Sequence, residues 1–206
     1  MLMRYLAAFG LALALVVSAP VAHAEPHVQA SAEFIDNLAD RAIETLTDNG
    51  LDSRMRRDKF RELFREGFAV NGIARFVLGR YWRRASDSER DEYLNLFEEV
   101  IVNTWADRFS QYSGQKFEVN GAVPAPSASD SENVALVQSR FFTDPTTPVR
   151  IEWRVASRGN LYKIVDVSVE GISMASTQRD EFNAVIRKGG GKIDALLDEL
   201  RDRAGG

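Results

Sequence analysis

Asp166 and Glu170, with Ser168 between them, are the residues of this chain whose type and spacing come closest to a catalytic arrangement. On a strand they share one face, opposite Val165, Val167 and Val169, and two carboxyls in a cleft are the minimum equipment for general acid–base work. The same alternation also describes a wet sheet face on which they pair with Arg150 or Arg154 across the sheet, and this plainer explanation is enough. Other chemistry lacks its parts. Cys is absent and the two histidines are His23 and His27, which removes Cys–His nucleophiles, Ser–His–Asp triads and most zinc sites. Lys188-Gly189-Gly190-Gly191-Lys192 looks like a phosphate loop, but such a loop needs a preceding strand and a Ser or Thr after its Lys. A helix precedes this segment and Ile193 follows it, so it reads as a flexible joint.

Two basic runs, Arg56-Arg57-Lys59-Arg61 and Arg80-Arg83-Arg84, are interleaved with Asp58, Glu62 and Asp87 and read mainly as solvated faces. Arg80 is the best candidate for a role at an anionic rim, because a guanidinium bonds phosphate bidentately. The formal net charge of −4 is spread along the chain without a contiguous positive stripe, which argues against nucleic acid as a partner. Aromatic residues are the more suggestive feature. Phe60, Phe64, Phe68, Phe76, Phe97, Trp105, Phe109, Phe117, Phe141 and Trp153 recur at inward positions. Periodicity alone leaves open whether they fill a packed core or line a cavity.

The elements that position these residues follow from the hydrophobic pattern. Arg4, the apolar run Leu6–Val17 and Ala22-His23-Ala24 form a signal peptide cleaved after Ala24. Residues 25–206 are then one domain, helical over 33–113, sheet over 115–174 and helical over 177–204. Glu25 to Ala32 reads as a loose terminus that leaves His27 exposed. Helical spacing starts at Phe34 and runs through Leu46, and Asp52 or Ser53 caps a second helix carrying Phe60 and Phe64. A short helix spans Asn71–Tyr81, and Ser86 with Glu89 forms a capping box for a long helix to about Tyr112. Four alternating segments follow, centred on Phe117, on Val134–Phe142, on Val149–Val155 and on Tyr162–Val169. Arg158-Gly159-Asn160 reads as a hairpin turn and Gly171 as a bend or bulge. Phe182–Ile186 and Ile193–Leu200 close the chain as helices. The expected fold is α+β, a curved antiparallel sheet of about four strands covered by N-terminal and C-terminal helices and enclosing an apolar cavity.

Ile73 to Trp82, with its Leu78-Gly79-Arg80-Tyr81-Trp82 block, Ser86 to Phe97 leading to Trp105, and Asp166 to Ser173 resemble the MlaC family in order and spacing. Phe182 and the Ile193–Leu200 helix continue the likeness, which extends from about Phe34 to Leu200. Ala69 and Ser176-Thr177-Gln178-Arg179 depart from the family pattern. The resemblance implies a soluble periplasmic carrier in an outer-membrane lipid-asymmetry pathway, without catalytic activity or cofactor. Its cargo would be phospholipid. Its partners would be an outer-membrane lipoprotein complex and an inner-membrane ABC transporter with an MCE-domain protein. On that reading the helical candidates for the tail pocket are Phe68, Phe76, Tyr81, Phe97, Ile101 and Trp105. The sheet contributes Val119, Leu136, Ile151, Trp153, Val167 and Val169, with Arg80 at the headgroup or partner rim. Two rival functions are compatible with the same residues. One is a cup-shaped enzyme using Asp166 and Glu170 on a hydrophobic substrate, and the other a chaperone-like module binding protein segments.

Overall fold

A computed structural model describes residues 25–48, 50–109, 114–126, 133–142 and 147–205. The expected signal segment 1–24 and the end of the long helix around Tyr112 lie outside the described residues. The chain runs through four helices, α1 (Pro26–Leu46), α2 (Ser53–Gly67), α3 (Val70–Leu78) and α4 (Asp87–Phe109), then five strands, then α5 (Met174–Lys188) and α6 (Asp194–Gly205). The strands β1 (Lys116–Ala125), β2 (Asn133–Phe142), β3 (Pro148–Arg158), β4 (Leu161–Val169) and β5 (Ile172–Ser173) form one antiparallel sheet in chain order. This is the α+β architecture the sequence predicts, with one short strand more than expected.

Local chemistry sets the element ends. Asp52 caps α2 by accepting from the Met55 amide at 2.8 Å. At the other end of α2, Lys163 donates to the carbonyls of Arg65 and Glu66 at 2.9 and 2.6 Å, placing a cation on the negative pole of the helix. The Ser86–Glu89 capping box forms as read: the Ser86 amide donates to Glu89 at 2.6 Å and the Glu89 amide to Ser86 Oγ at 3.3 Å. The helix begins at Pro26, not at Phe34. Pro suits a first turn, whose amides have no helical partner anyway, and Val28 and Ser31 are buried. His27 is accordingly part of α1, with a mostly buried side chain 3.3 Å from Glu25. The short helix ends at Leu78 rather than Tyr81. Gly79, at φ 61°, breaks it into a 3-10 turn over Gly79–Arg83.

Two bulges set which residues face inward. β1 shifts register between Val119 and Gly121, and β4 slips by one residue at Val165 opposite the Arg154–Val155 step. Ile164 and Val167 therefore both face inward although they are three positions apart, and Asp166 faces outward. Gly171 sits in a two-residue hairpin, not a bulge: Glu170 and Gly171 both have positive φ, 50° and 80°, and connect β4 to β5. The free edge of β4 beyond β5 is covered by Phe68, which forms a parallel bridge with Ile164, and the Ala69 amide donates to the Ile164 carbonyl at 2.9 Å.

The buried apolar residues form two clusters. One is helical and gathers Phe64, Val77, Leu78, Tyr81, Tyr93, Phe97, Phe182, Ile186 and the leucines of α6. The other lies between α1 and the sheet, around Ile35, Val137, Val155 and Ile164. Phe68 packs against both.

Candidate functional site

The inner face of the sheet can be followed rung by rung, because residues paired across antiparallel strands share a face. One rung is Ala122–Val137–Trp153–Val167, and the next carries Val119, Ser139, Ile151, Val169 and Ile172. α1 covers the first: Phe34, Ile35 and Leu38 pack with Val137, Trp153, Val167, Phe117 and Val119. Trp153 is fixed there by an indole N–H donated to Ser139 Oγ at 2.8 Å and by an edge-on contact with Phe117, 6.3 Å between centroids. Ser139 passes its own hydroxyl hydrogen to the Ile151 carbonyl at 3.3 Å, so the polar atoms on this apolar face are satisfied.

Among the described residues, cover thins along the second rung, from Val119 in the sheet core toward β5. Ile151 and Val169 are half-buried and belong to neither core, and Ile172 beside them is 60% exposed. Met174, directly after β5 at the start of α5, is also exposed (38%), as is Phe76 on α3 (46%). The helical and sheet cores thus share Phe68, while Ile151, Val169 and Ile172 toward β5 belong to neither; a seam between the two cores would close at Phe68 and open toward β5.

A separate open groove of about 750 Å³ lies between the end of α2, the start of α3 and α4. Arg65, Asn71, Asp91, Asn95 and Glu98 give it a polar lining, and of the pocket candidates it touches only Phe68.

The two carboxylates that led the sequence reading are engaged in holding the fold. Asp166 accepts from the amides of Val167 and Ala175 at 2.8 and 3.1 Å and from Ser173 Oγ at 2.6 Å, tying the first turn of α5 to β4. Arg154 pairs with it in register, yet bonds the Pro126 carbonyl instead. Glu170 does pair with Arg150, at 2.8 and 3.0 Å, and also accepts the Arg150 amide at 2.6 Å. These bonds hold the Glu170 carboxyl below its usual pKa, the backbone amide contributing most. Among the described residues no group of three or more His, Cys, Asp or Glu is arranged to hold a metal ion.

Residues 36–202 match the family model described as MlaC protein. The chain belongs to the MlaC family. The intermembrane phospholipid transport system binding protein MlaC of Haemophilus influenzae is 22% identical to it over 130 residues, and the toluene tolerance protein ttg2D of Pseudomonas putida 19% identical over 130 residues. Those matches take in 62% and 63% of this chain but only 58% of each relative's length. The structure of a phospholipid-binding protein from Ralstonia solanacearum, in complex with a phospholipid, superposes with a TM-score of 0.70 at 18% identity, covering 85% of this chain and 97% of that one. That likeness is one of fold.

Within this MlaC-family chain the twelve pocket candidates separate into groups. Phe68 joins the two cores, and Val119, Trp153 and Val167 stand in the sheet core. Ile151 and Val169 line the uncovered rung. Tyr81, Phe97 and Ile101 belong to the helical core. Three candidates depart from the inward orientation expected of them. Phe76 is 46% exposed and Trp105 40% exposed, because helical periodicity marks an apolar stripe without saying where it runs past its neighbours. Leu136 pairs with Val123 and Arg154 and so lies on the outer face. The alternation of β2 carries apolar residues on both faces, which hides the parity that would have excluded it. Arg80 is exposed, its guanidinium 5.0 Å from the Tyr81 ring centroid. Sequence reasoning missed Ile172 because Glu170-Gly171 reads as an interruption of the strand and not as a turn into another.

Proposed function

We propose that this protein is a carrier of phospholipid whose acyl chains occupy the seam between the helical and sheet cores. The observation that carries the reading is the division of the described apolar interior into two clusters that meet at Phe68, with Ile151 and Val169 half-buried and Ile172 exposed outside both. A domain of this size ordinarily has one contiguous core. A seam of this kind gains by taking in apolar chains. Membership of the MlaC family and the printed names of the relatives support phospholipid as the cargo.

Physics sets the task. Each methylene brought out of water is worth about 0.8 kcal/mol, so two long tails represent on the order of 20 kcal/mol, and a lipid does not cross water bare. A dry seam that matches the bilayer makes the exchange nearly neutral. Phe68, Val119, Ile151, Trp153, Val167 and Val169 line it in this proposal, with Tyr81, Phe97 and Ile101 as the wall behind; the headgroup stays in water near Arg80. Residues 1–24 direct export and are removed, leaving a single periplasmic domain. No helix among the described residues is long and apolar enough to cross a membrane. Lipid would pass between an outer-membrane lipoprotein complex and an inner-membrane transporter carrying an MCE-domain protein.

Native mass spectrometry of residues 25–206 recovered from a periplasm, followed by solvent extraction, tests the reading. The expected result is near-stoichiometric phospholipid, lost in Ile151→Arg and Val169→Arg proteins that remain folded, because an unpaired charge among tails is prohibitive. A lipid-free wild-type protein that stays lipid-free after incubation with vesicles would sink the proposal.

A further inference from the structure

Among the arginines on α1, α2, the sheet and α6, Arg56 and Arg154 bond backbone carbonyls and several are ion-paired: Arg41 with Glu66, Arg61 and Arg65 with Glu98, Arg150 with Glu170, Arg201 with Glu92. Those around the 3-10 turn are not. Arg75, Arg80, Arg83, Arg84 and Arg179 form no ion pair among the described residues: Asp87, three positions from Arg84, is bound to Arg90 at 2.9 Å, Glu181 accepts from Gln178 at 3.0 Å, and Asp180 beside Arg179 does not pair with it. Four of the five lie on aromatic rings instead. Arg75 is 5.1 Å from the Trp82 centroid, Arg80 and Arg84 are 5.0 and 5.7 Å from that of Tyr81, and Arg179 is 5.0 Å from that of Phe76. Arg179 reaches across from α5 to do so, passing so close to Gly79 that a Cβ there would be 3.0 Å from its Nε.

We propose that this arginine–aromatic surface docks the protein onto an anionic phospholipid bilayer, with Phe76 and Met174 entering the interface. A ring holds each of these four guanidiniums in place without neutralising it, and apart from the Arg80 N–H donated to the Tyr81 hydroxyl at 3.0 Å their N–H groups remain for bonding to phosphate. Three exposed apolar residues are associated with this surface: Phe76 lies against Arg179, and Ile172 and Met174 stand at the β5–α5 junction leading into the helix that carries Arg179. Arginines interspersed with apolar and aromatic side chains are the composition of an interfacial anchor. An acidic protein segment would satisfy the guanidiniums but gain less from those three side chains. The chain as a whole is acidic, at −4, so the same bilayer repels most of its surface and turns this patch toward it. Ile172 belongs to both the patch and the uncovered rung, which brings the open end of the seam to the membrane. The carrier reading explains why such docking is useful, but the docking is testable without it.

Sedimentation with phosphatidylcholine vesicles, with and without phosphatidylglycerol, reads the effect. Wild type is expected to bind only when phosphatidylglycerol is present, and less as salt is raised. The triple variant Arg75→Gln, Arg84→Gln, Arg179→Gln is expected to lose about 100-fold in partition, at about 1 kcal/mol per arginine. A control with the same charge change elsewhere, Arg54→Gln, Arg187→Gln, Lys188→Gln, should bind like wild type. If the triple variant does not fold, Arg75→Gln and Arg84→Gln singly should each lose about fivefold. Absence of wild-type binding to phosphatidylglycerol vesicles, or an equal loss in the control, would overturn the proposal. Salt-sensitive binding to poly-glutamate without vesicle binding would hand the surface to an acidic protein and overturn it too. Native mass spectrometry of the same preparations reads cargo separately: an empty protein that still binds anionic vesicles sinks the carrier reading and leaves the docking surface standing.

Discussion

Glu98 illustrates how a single side chain ties helices together. It accepts from Arg61 at 3.1 Å and Arg65 at 2.9 Å, fastening α2 to α4. Partial burial alone raises its pKa, but the bonds from Arg65 and Arg61 outweigh this and hold the carboxyl below the usual range. Glu66 is lowered too, chiefly by Arg41, and Glu89 by Ser86. Below about 4.3, the ordinary value, the unfolded chain binds the protons that the folded one refuses. The stability these groups contribute is therefore present near neutrality and lost as pH falls through their folded values. The urea midpoint should fall between about pH 5 and pH 3, and less steeply in Glu98→Gln. An identical slope in that variant would show that Glu98 contributes nothing to it. Tyr93 is a different case. Its hydroxyl donates to the Ala74 carbonyl at 2.9 Å in a dry interior, and burial drives its pKa far above the usual range. Tyr93→Phe should cost about 1 kcal/mol in denaturant unfolding, the net value of such a bond.

At the scale of elements, α1 is seated against the end of α2. A Cβ on Gly67 would fall 2.5 Å from Leu38 Cδ2, and Leu38 in turn packs into the sheet core. Gly67→Ala should therefore destabilise by about 1–3 kcal/mol through overpacking. Adding Leu38→Ala should give less than the sum of the two losses, because the second change makes room for the first; strict additivity in a double-mutant cycle would refute the contact. Asp166→Ala, which frees the first turn of α5, should lower stability by about 1–2 kcal/mol. The elements were largely legible in the sequence, since capping chemistry such as Ser86–Glu89 and the Gly159-Asn160 turn is local. The site was less so. Ile164 and Val167 both face inward only because Val165 is bulged, and bulges answer to the partner strand. The exposure of Phe76 and Trp105 likewise depends on what packs over them, which period and composition do not record.

Across the whole molecule, the division of the interior at Phe68 bears on how the protein comes apart. Two regions with separate buried clusters can open as separate cooperative units. Lipid-free protein should then melt in two calorimetric steps, or show two tiers of amide exchange, slow in the helices α2 to α6 and faster in the sheet with α1. A ligand filling the seam contacts both regions and binds only when both are folded, so loading should merge the steps and raise the lower one. A single transition in both states would mean that Phe68 couples the clusters fully. If two steps are seen, the cargo is also the agent of cooperativity, and a carrier that has delivered its lipid leaves the membrane as the more loosely joined of its two forms.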